Sequence, residues 1–162
     1  AELLDRLDDW LAPELDALAM GKSASGLDLE AALTRLLPWP AAAQMDKLAP
    51  LRLKVPSGSR IVIGYPELVQ GVPVTERAVV AVKLQECFGL AQTPMIAGGR
   101  SKLLFHLLSP AGRPLAVTDD LTSFWAGPYL QVRAEMRGRY PKHPWPEDPW
   151  SMPATAKVKR LL

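Results

Sequence analysis

Between Arg133 and Trp150 the chain gathers the residue types that handle polyanions: Arg133, Arg137, Arg139 and Lys142 alternate with Tyr140, His143, Trp145 and Trp150. Cationic side chains at this density neutralise phosphates, and flat rings among them offer faces on which unpaired bases stack. Arg133, Arg137, Arg139, Tyr140, Lys142, His143 and Trp145 are therefore the candidate nucleic-acid-binding residues. A second reading uses the same residues differently. Two tryptophans so close together are costly to leave wet, so a Pro/Trp-rich tail can pin itself along the domain surface with its indoles in apolar grooves. The two readings are compatible if the tryptophan side anchors and the arginine side faces a ligand.

Elsewhere the chemistry-bearing residues read as structural. Gly98-Gly99-Arg100-Ser101-Lys102 lacks the G-x-x-x-x-G-K-[ST] spacing of a phosphate loop and precedes a strand where such a loop precedes a helix. Ser57 and Ser59 lie in a turn outside any G-x-S-x-G context. Cys87 has no neighbouring histidine or basic cluster in sequence and reads as a buried thiol. His106 shares a strand face with Lys102, Leu104 and Leu108, the pattern of a core or edge histidine. Asp119 and Asp120 suit the positive end of a helix, and Glu147-Asp148 sits among prolines, a poor place to pre-organise catalysis. No catalytic, cofactor or metal-binding residue is assigned, and two histidines and one cysteine far apart do not make a zinc site.

The charge is divided along the chain. Residues 1–50 hold four Lys/Arg against nine Asp/Glu, and residues 51–162 hold 15 against 8. An acidic head on a basic body and tail suits a polyanionic partner for the second part. The single cysteine fits a reducing cytosol, and no stretch reaches the ~20 apolar residues of a membrane span. The expectation is a soluble, cytoplasmic domain without membrane contact.

The elements that must position the tail follow from periodicity. Leu3, Leu4, Leu7, Trp10 and Leu11 recur at helical spacing, and Pro13 opens a further turn carrying Leu15 and Leu18. Residues 21–26 read as a loop. Asp28 caps a helix with Leu29, Ala32, Leu33, Leu36 and Leu37 on one face, and Pro40 starts a third short helix through Leu48. From residue 51 the period falls to two, predicting strands over 51–55, 60–65, 78–84, 101–108 and 114–117, with a surface loop at 66–76 and a helical turn at 85–88 ended by Gly89. Strands without intervening helices favour an antiparallel or mixed sheet. Thr118 is expected to cap a long helix with Leu121, Phe124, Trp125, Val132 and Met136 as its apolar stripe, kinked at Gly127-Pro128 and closed by Gly138. The five prolines of 139–153 predict extended chain, and residues 157–162 read as frayed. The organisation is thus α+β: an acidic helical segment over 1–50, a sheet with its C-terminal helix over 51–138, and an extended, basic, Pro-rich tail over 139–162.

The tail also carries a family likeness. GRYPKHPWPEDPW at 138–150 resembles the closing signature of the bacterial HrpB-type ATP-dependent helicases of the DEAH/RHA group. DDWLAP at 8–13, VPSGSRIVIGY at 55–65, AVKLQECFG at 81–89 and LLSPAGRPLAVTDDLTSFW at 107–125 match in order, so the resemblance covers nearly the whole chain. These motifs belong to the region C-terminal to the motor. The resemblance implies a parent that hydrolyses ATP with Mg²⁺ and acts on nucleic acid, RNA in the first place, and it implies none of that engine here. No G-K-[ST] loop, DEAH-type acid motif or arginine finger can be placed on this chain. PELVQGVPVTERA at 66–78 departs from the family's shorter linkage, which predicts an added hairpin or loop. The implied role is an accessory domain contributing nucleic-acid contacts, its other partner being the helicase core of the same polypeptide. The alternative is an interaction or scaffold domain bracing that core.

Overall fold

Alternating apolar and charged residues become strands wherever one face can be buried, and the second half of the chain does this five times. The computed structural model describes residues 3–69, 72–73 and 77–156, and the chain divides into two compact units, 1–48 and 49–162. The predicted fraying at 157–162 lies outside the described residues.

The first unit is helical. After a 3-10 turn at Leu4–Arg6 come α1 (Leu7–Trp10) and α2 (Ala12–Ala19). Pro13 stands in the first turn of α2, where a missing N–H leaves no bond unmade. The loop expected over 21–26 contains a further 3-10 turn at Ala24–Gly26. α3 (Leu29–Thr34) begins where Asp28 accepts a bond from Ala31 N at 2.9 Å. The expected third helix is two single turns, α4 (Trp39–Ala42) and α5 (Met45–Leu48). Among its described residues only Trp10, Leu11 and Ala32 are buried, with Leu7, Leu15 and Leu36 packed beside them. The expected apolar face of α3 is therefore largely uncovered, with Leu29 and Leu33 exposed.

The second unit holds a five-stranded mixed sheet in the order β1-β2-β5-β8-β9. Its strands are β1 (Arg52–Lys54), β2 (Arg60–Gly64), β5 (Val79–Lys83), β8 (Leu104–Leu108) and β9 (Pro114–Thr118). All neighbours run antiparallel except β5 and β8, which are parallel from Val79↔Leu104 to Lys83↔Leu108. The loop expected at 66–76 contains a small hairpin, β3 (Leu68–Val69) with β4 (Val72–Pro73). The single strand expected at 101–108 is divided at Leu103. β7 (Ser101–Lys102) turns back on β6 (Met95–Ile96), while β8 joins the main sheet.

The sheet buries one face. Ile63, Val80, Val82, Phe105 and Leu107 point into a core completed by Leu84, Cys87 and Phe88 from the 3-10 turn Leu84–Cys87 and its flank. Two helices close it, α6 (Leu121–Ala126) and α7 (Pro128–Arg139). Gly127-Pro128 separates them fully where a kink was expected, because Pro128 has no N–H to continue the ladder of α6. The cap also lies two residues along: Asp120 accepts from Ser123 N at 3.1 Å, and Thr118 accepts from Asp120 N instead. That bond from Ser123 holds the Asp120 carboxyl below its ordinary value. Gly138 does not close α7. The helix runs through Arg139, and Tyr140 N bonds Met136 O at 2.8 Å. Leu121, Phe124, Trp125 and Met136 are buried as the stripe requires.

Candidate nucleic-acid interface

Trp125 lies at the centre of an aromatic group, its ring 5.1 Å from Phe124, 5.3 Å from Tyr129, 6.1 Å from Phe88 and 6.3 Å from Trp150. Its indole donates to Leu90 O at 2.9 Å. Tyr129 is fully buried, and its hydroxyl donates to Pro146 O at 2.8 Å. Burial pushes that hydroxyl up to about 12, against the opposing Arg133 charge, so it stays a donor throughout the ordinary pH range. Sequence reasoning passed over Tyr129. Its signal was the spacing, four residues after Trp125 and seven before Met136, which puts it on the same stripe.

The chain after α7 is fastened by bonds to its own backbone. Arg133, one turn beyond Tyr129, donates from Nε to Trp145 O at 2.9 Å and from Nη2 to Glu147 Oε1 at 2.9 Å. Trp145 packs against the core and donates its indole N–H to Tyr140 O at 3.0 Å. Gly89 N donates to Pro149 O at 2.9 Å, and Thr155 N to Gln85 O at 3.0 Å. Gly89 adopts φ +79°, a conformation that other residues reach only with strain, and so it can end the 3-10 turn and offer its N–H to the tail. Asp148 accepts from Trp150 N at 2.9 Å, which lowers its carboxyl and closes the turn at 149–151. The acids of this segment are therefore occupied with turn geometry and with Arg133.

The seven predicted binding residues separate into two groups. Arg133 and Trp145 lie within the fastening. Arg137, Arg139 and Lys142 are exposed and form no ion pair among the described residues. Tyr140 and His143 are half-buried between them, rings edge to face at 6.3 Å, with His143 N donating to Tyr140 O at 3.1 Å. Burial, with the positive charge of Lys83, holds the His143 imidazole below its ordinary value.

The other sequence motifs take structural places. Residues 97–100 turn the β6–β7 hairpin, with Arg100 Nε bonded to Ala97 O at 2.8 Å. A strand, β7, and not a helix follows this loop. Among the described residues no group of three His, Cys, Asp or Glu side chains could hold a metal ion. Burial and the adjacent Glu86 push the fully buried Cys87 thiol up to about 12, far from a nucleophile's range. Asp119 pairs with Arg77. Among the described residues no helix is long and apolar enough to cross a membrane.

The family described as "ATP-dependent helicase C-terminal" matches residues 10–149. The ATP-dependent RNA helicase HrpB of Escherichia coli K12 is 42% identical over 158 residues, covering 98% of this chain and 19% of that protein. A crystal structure of the E. coli DExH-box NTPase HrpB superposes with TM-score 0.80 at 43% identity, over 96% of this chain and 18% of that one. A second, of the E. coli DEAH/RHA helicase HrpB, gives TM-score 0.62 at 42% identity over 88% and 17%. The chain thus spans about a fifth of the length of the relative it matches. With a match over most of its length, in sequence and in fold alike, the chain belongs to the C-terminal family of the HrpB ATP-dependent helicases.

Proposed function

We propose that this chain is an accessory domain of an RNA-directed, ATP-dependent helicase and that it contacts nucleic acid through the outer side of α7 and the tail. ATP and Mg²⁺ belong, on this reading, to the motor in the rest of the parent polypeptide. The supporting observation is the contrast at the end of α7. Arg137 and Arg139 at the end of α7, and Lys142 after it, stand in solvent with no ion pair among the described residues, beside the half-exposed rings of Tyr140 and His143. Fixed cations beside rings suit a single strand, whose phosphates and unpaired bases need both.

The test is a salt titration of single-stranded RNA binding. Each phosphate contact contributes about −0.7 to the log–log slope, so replacing Arg137, Arg139 and Lys142 together by Gln flattens the slope by ~2. Unchanged affinity and slope in that variant would remove the tail from the interface.

A scaffold role has one observation in its favour. The small helical unit leaves Leu4, Met20, Leu29, Trp39 and Met45 exposed, Trp39 at 80%. Apolar surface at that density is usually covered by another protein surface, and the helicase core of the same polypeptide is the available one. A wild-type chain that binds no RNA at low salt would favour it.

A further inference from the structure

One face of the main sheet is open, and its charges are arranged against the interest of stability. Along β8, Phe105 and Leu107 are fully buried while Leu104, His106 and Leu108 lie on the other side. On β5 the core takes Val80 and Val82, which leaves Val79, Ala81 and Lys83 outward. The register sets Ala81, His106 and Val117 side by side across three strands. Ala81 is exposed although β5 is the central strand, and Val62 and Val117 are 57% and 58% exposed, so no element of this unit covers this face among its described residues.

At one end of that face Lys54 stands directly opposite Arg60. Like charges in direct cross-strand register destabilise a sheet, and Leu53 and Ile61, the pair beside them, already supply the core contact of these strands. Lys83 ends β5 at the same edge, because β5 runs antiparallel to β2. The three cations thus share one end of the open face, on neighbouring strands. None of them forms an ion pair among the described residues. Glu86, the acid that follows on the 3-10 turn, is 8% exposed and accepts from Ser57 Oγ at 2.9 Å. The Lys83 charge also acts on His143, which follows Lys142 in the tail.

We infer that the open sheet face is a second contact for single-stranded nucleic acid, with Lys54, Arg60 and Lys83 on its phosphates and Val62, Ala81 and Val117 under its bases. The occupant follows from the charge: cations that form no ion pair among the described residues, beside a flat apolar floor, complement a flexible polyanion with exposed bases. His106 is the one ring on this floor, so this contact contributes salt-dependent affinity and little stacking. It rests on the reading that the domain binds nucleic acid, and extends the path beyond the tail.

The experiment uses the whole chain with single-stranded RNA and its duplex, titrated between about 50 and 200 mM salt. Lys54→Gln, Arg60→Gln and Lys83→Gln together are expected to flatten the slope by ~2 while the tail cations are intact, and combining them with the tail substitutions removes still more. The thermal midpoint should hold or rise, since the Lys54–Arg60 repulsion is gone, and Lys83→Gln alone provides a slope change of ~0.7 should the triple variant misfold. If the sheet variants bind with wild-type slope while the tail variant does not, the sheet contact is wrong and the tail reading stands. The converse result keeps the sheet and removes the tail. Equal weakening of single-strand and duplex binding would overturn the single-strand assignment, and no binding by the wild-type chain would overturn both.

Discussion

Arg133 and Arg137 are one helical turn apart on α7, yet they belong to different regions. Arg133 is turned toward the tail, its side chain 21% exposed and its guanidinium spent on Trp145 O and Glu147. Arg137 stands in solvent with Arg139 and Lys142. The same division runs through the aromatics: Trp145 is bonded and packed, while Tyr140 and His143 sit half-exposed at the bend. Residue type alone does not mark a ligand contact. What separates the two flanks is whether a side chain has somewhere to go within its own fold, and the irregular chain after Tyr140 supplies such places on one side only.

The severest way to break the comparison is to remove the surface on which the tail is fastened. Trp125 is 3% exposed, touches Phe88, Phe124, Tyr129 and Trp150, and has its N–H satisfied by Leu90 O. Trp125→Ala is expected to lose about 3–5 kcal/mol in a denaturant titration. The buried Cys87, unreactive in the folded chain, should become alkylatable under conditions where the wild type is protected. A stability within experimental error of the wild type would show that the aromatic group is not what the tail rests on.

Substituting the two arginines separately sharpens the division. Arg133→Gln gives up a charge-assisted bond to a backbone carbonyl, about 1.5–3 kcal/mol. Its pair with Glu147 adds little, since that carboxylate's side chain is 85% exposed. Glu147→Gln is accordingly expected to change stability by less than about 1 kcal/mol. Arg137→Gln should leave stability within about 0.5 kcal/mol and act only on the salt dependence of RNA binding. Equal stability losses for Arg133→Gln and Arg137→Gln would dissolve the distinction between the flanks.

Much of the fold was legible because periodicity reports burial. The period of two found all five strands of the main sheet, and the stripe of α6 and α7 placed Trp125 in the core. The breaks were legible only where the residue forbids continuation, as at Pro128. The division at Leu103 was hidden, since its backbone N–H bonds Pro94 O, a partner nine residues away that no local pattern announces. Capping was misplaced by two residues because Thr118 and Asp120 both carry suitable oxygens, and only the backbone decides which faces the first turn. For the site, composition located the stretch but could not assign sides. Arg133 and Arg137 look alike until Trp145 O is known to lie within 2.9 Å of one of them. The open sheet face left no mark that an isolated Lys54, Arg60 or Lys83 could show, because only strand order and direction bring them to one end of the sheet.

His143 belongs to both flanks and gives the finest test. Its backbone closes the bend on Tyr140 O, while its imidazole, partly withdrawn from water, faces the Tyr140 ring and the Lys83 charge. Both burial and Lys83 disfavour the protonated ring, so the folded chain holds that proton less tightly than the unfolded one, whose value is about 6.5. Stability from this group is complete above about 6.5 and falls as pH drops through the folded value, because the unfolded chain takes up the proton first. An NMR titration of the imidazole should show a midpoint below 6.5, moving upward in Lys83→Gln as one of the two causes is removed. His143→Gln should flatten the pH dependence of the thermal midpoint between about 7 and 5 by a small amount, since the ring is only partly buried. RNA binding moves the opposite way: phosphates favour the protonated imidazole, so affinity should rise as pH falls through the same window, and less so in His143→Gln. A midpoint at or above 6.5, unmoved by Lys83→Gln, would separate the tail from the sheet edge and leave the two basic groups unconnected.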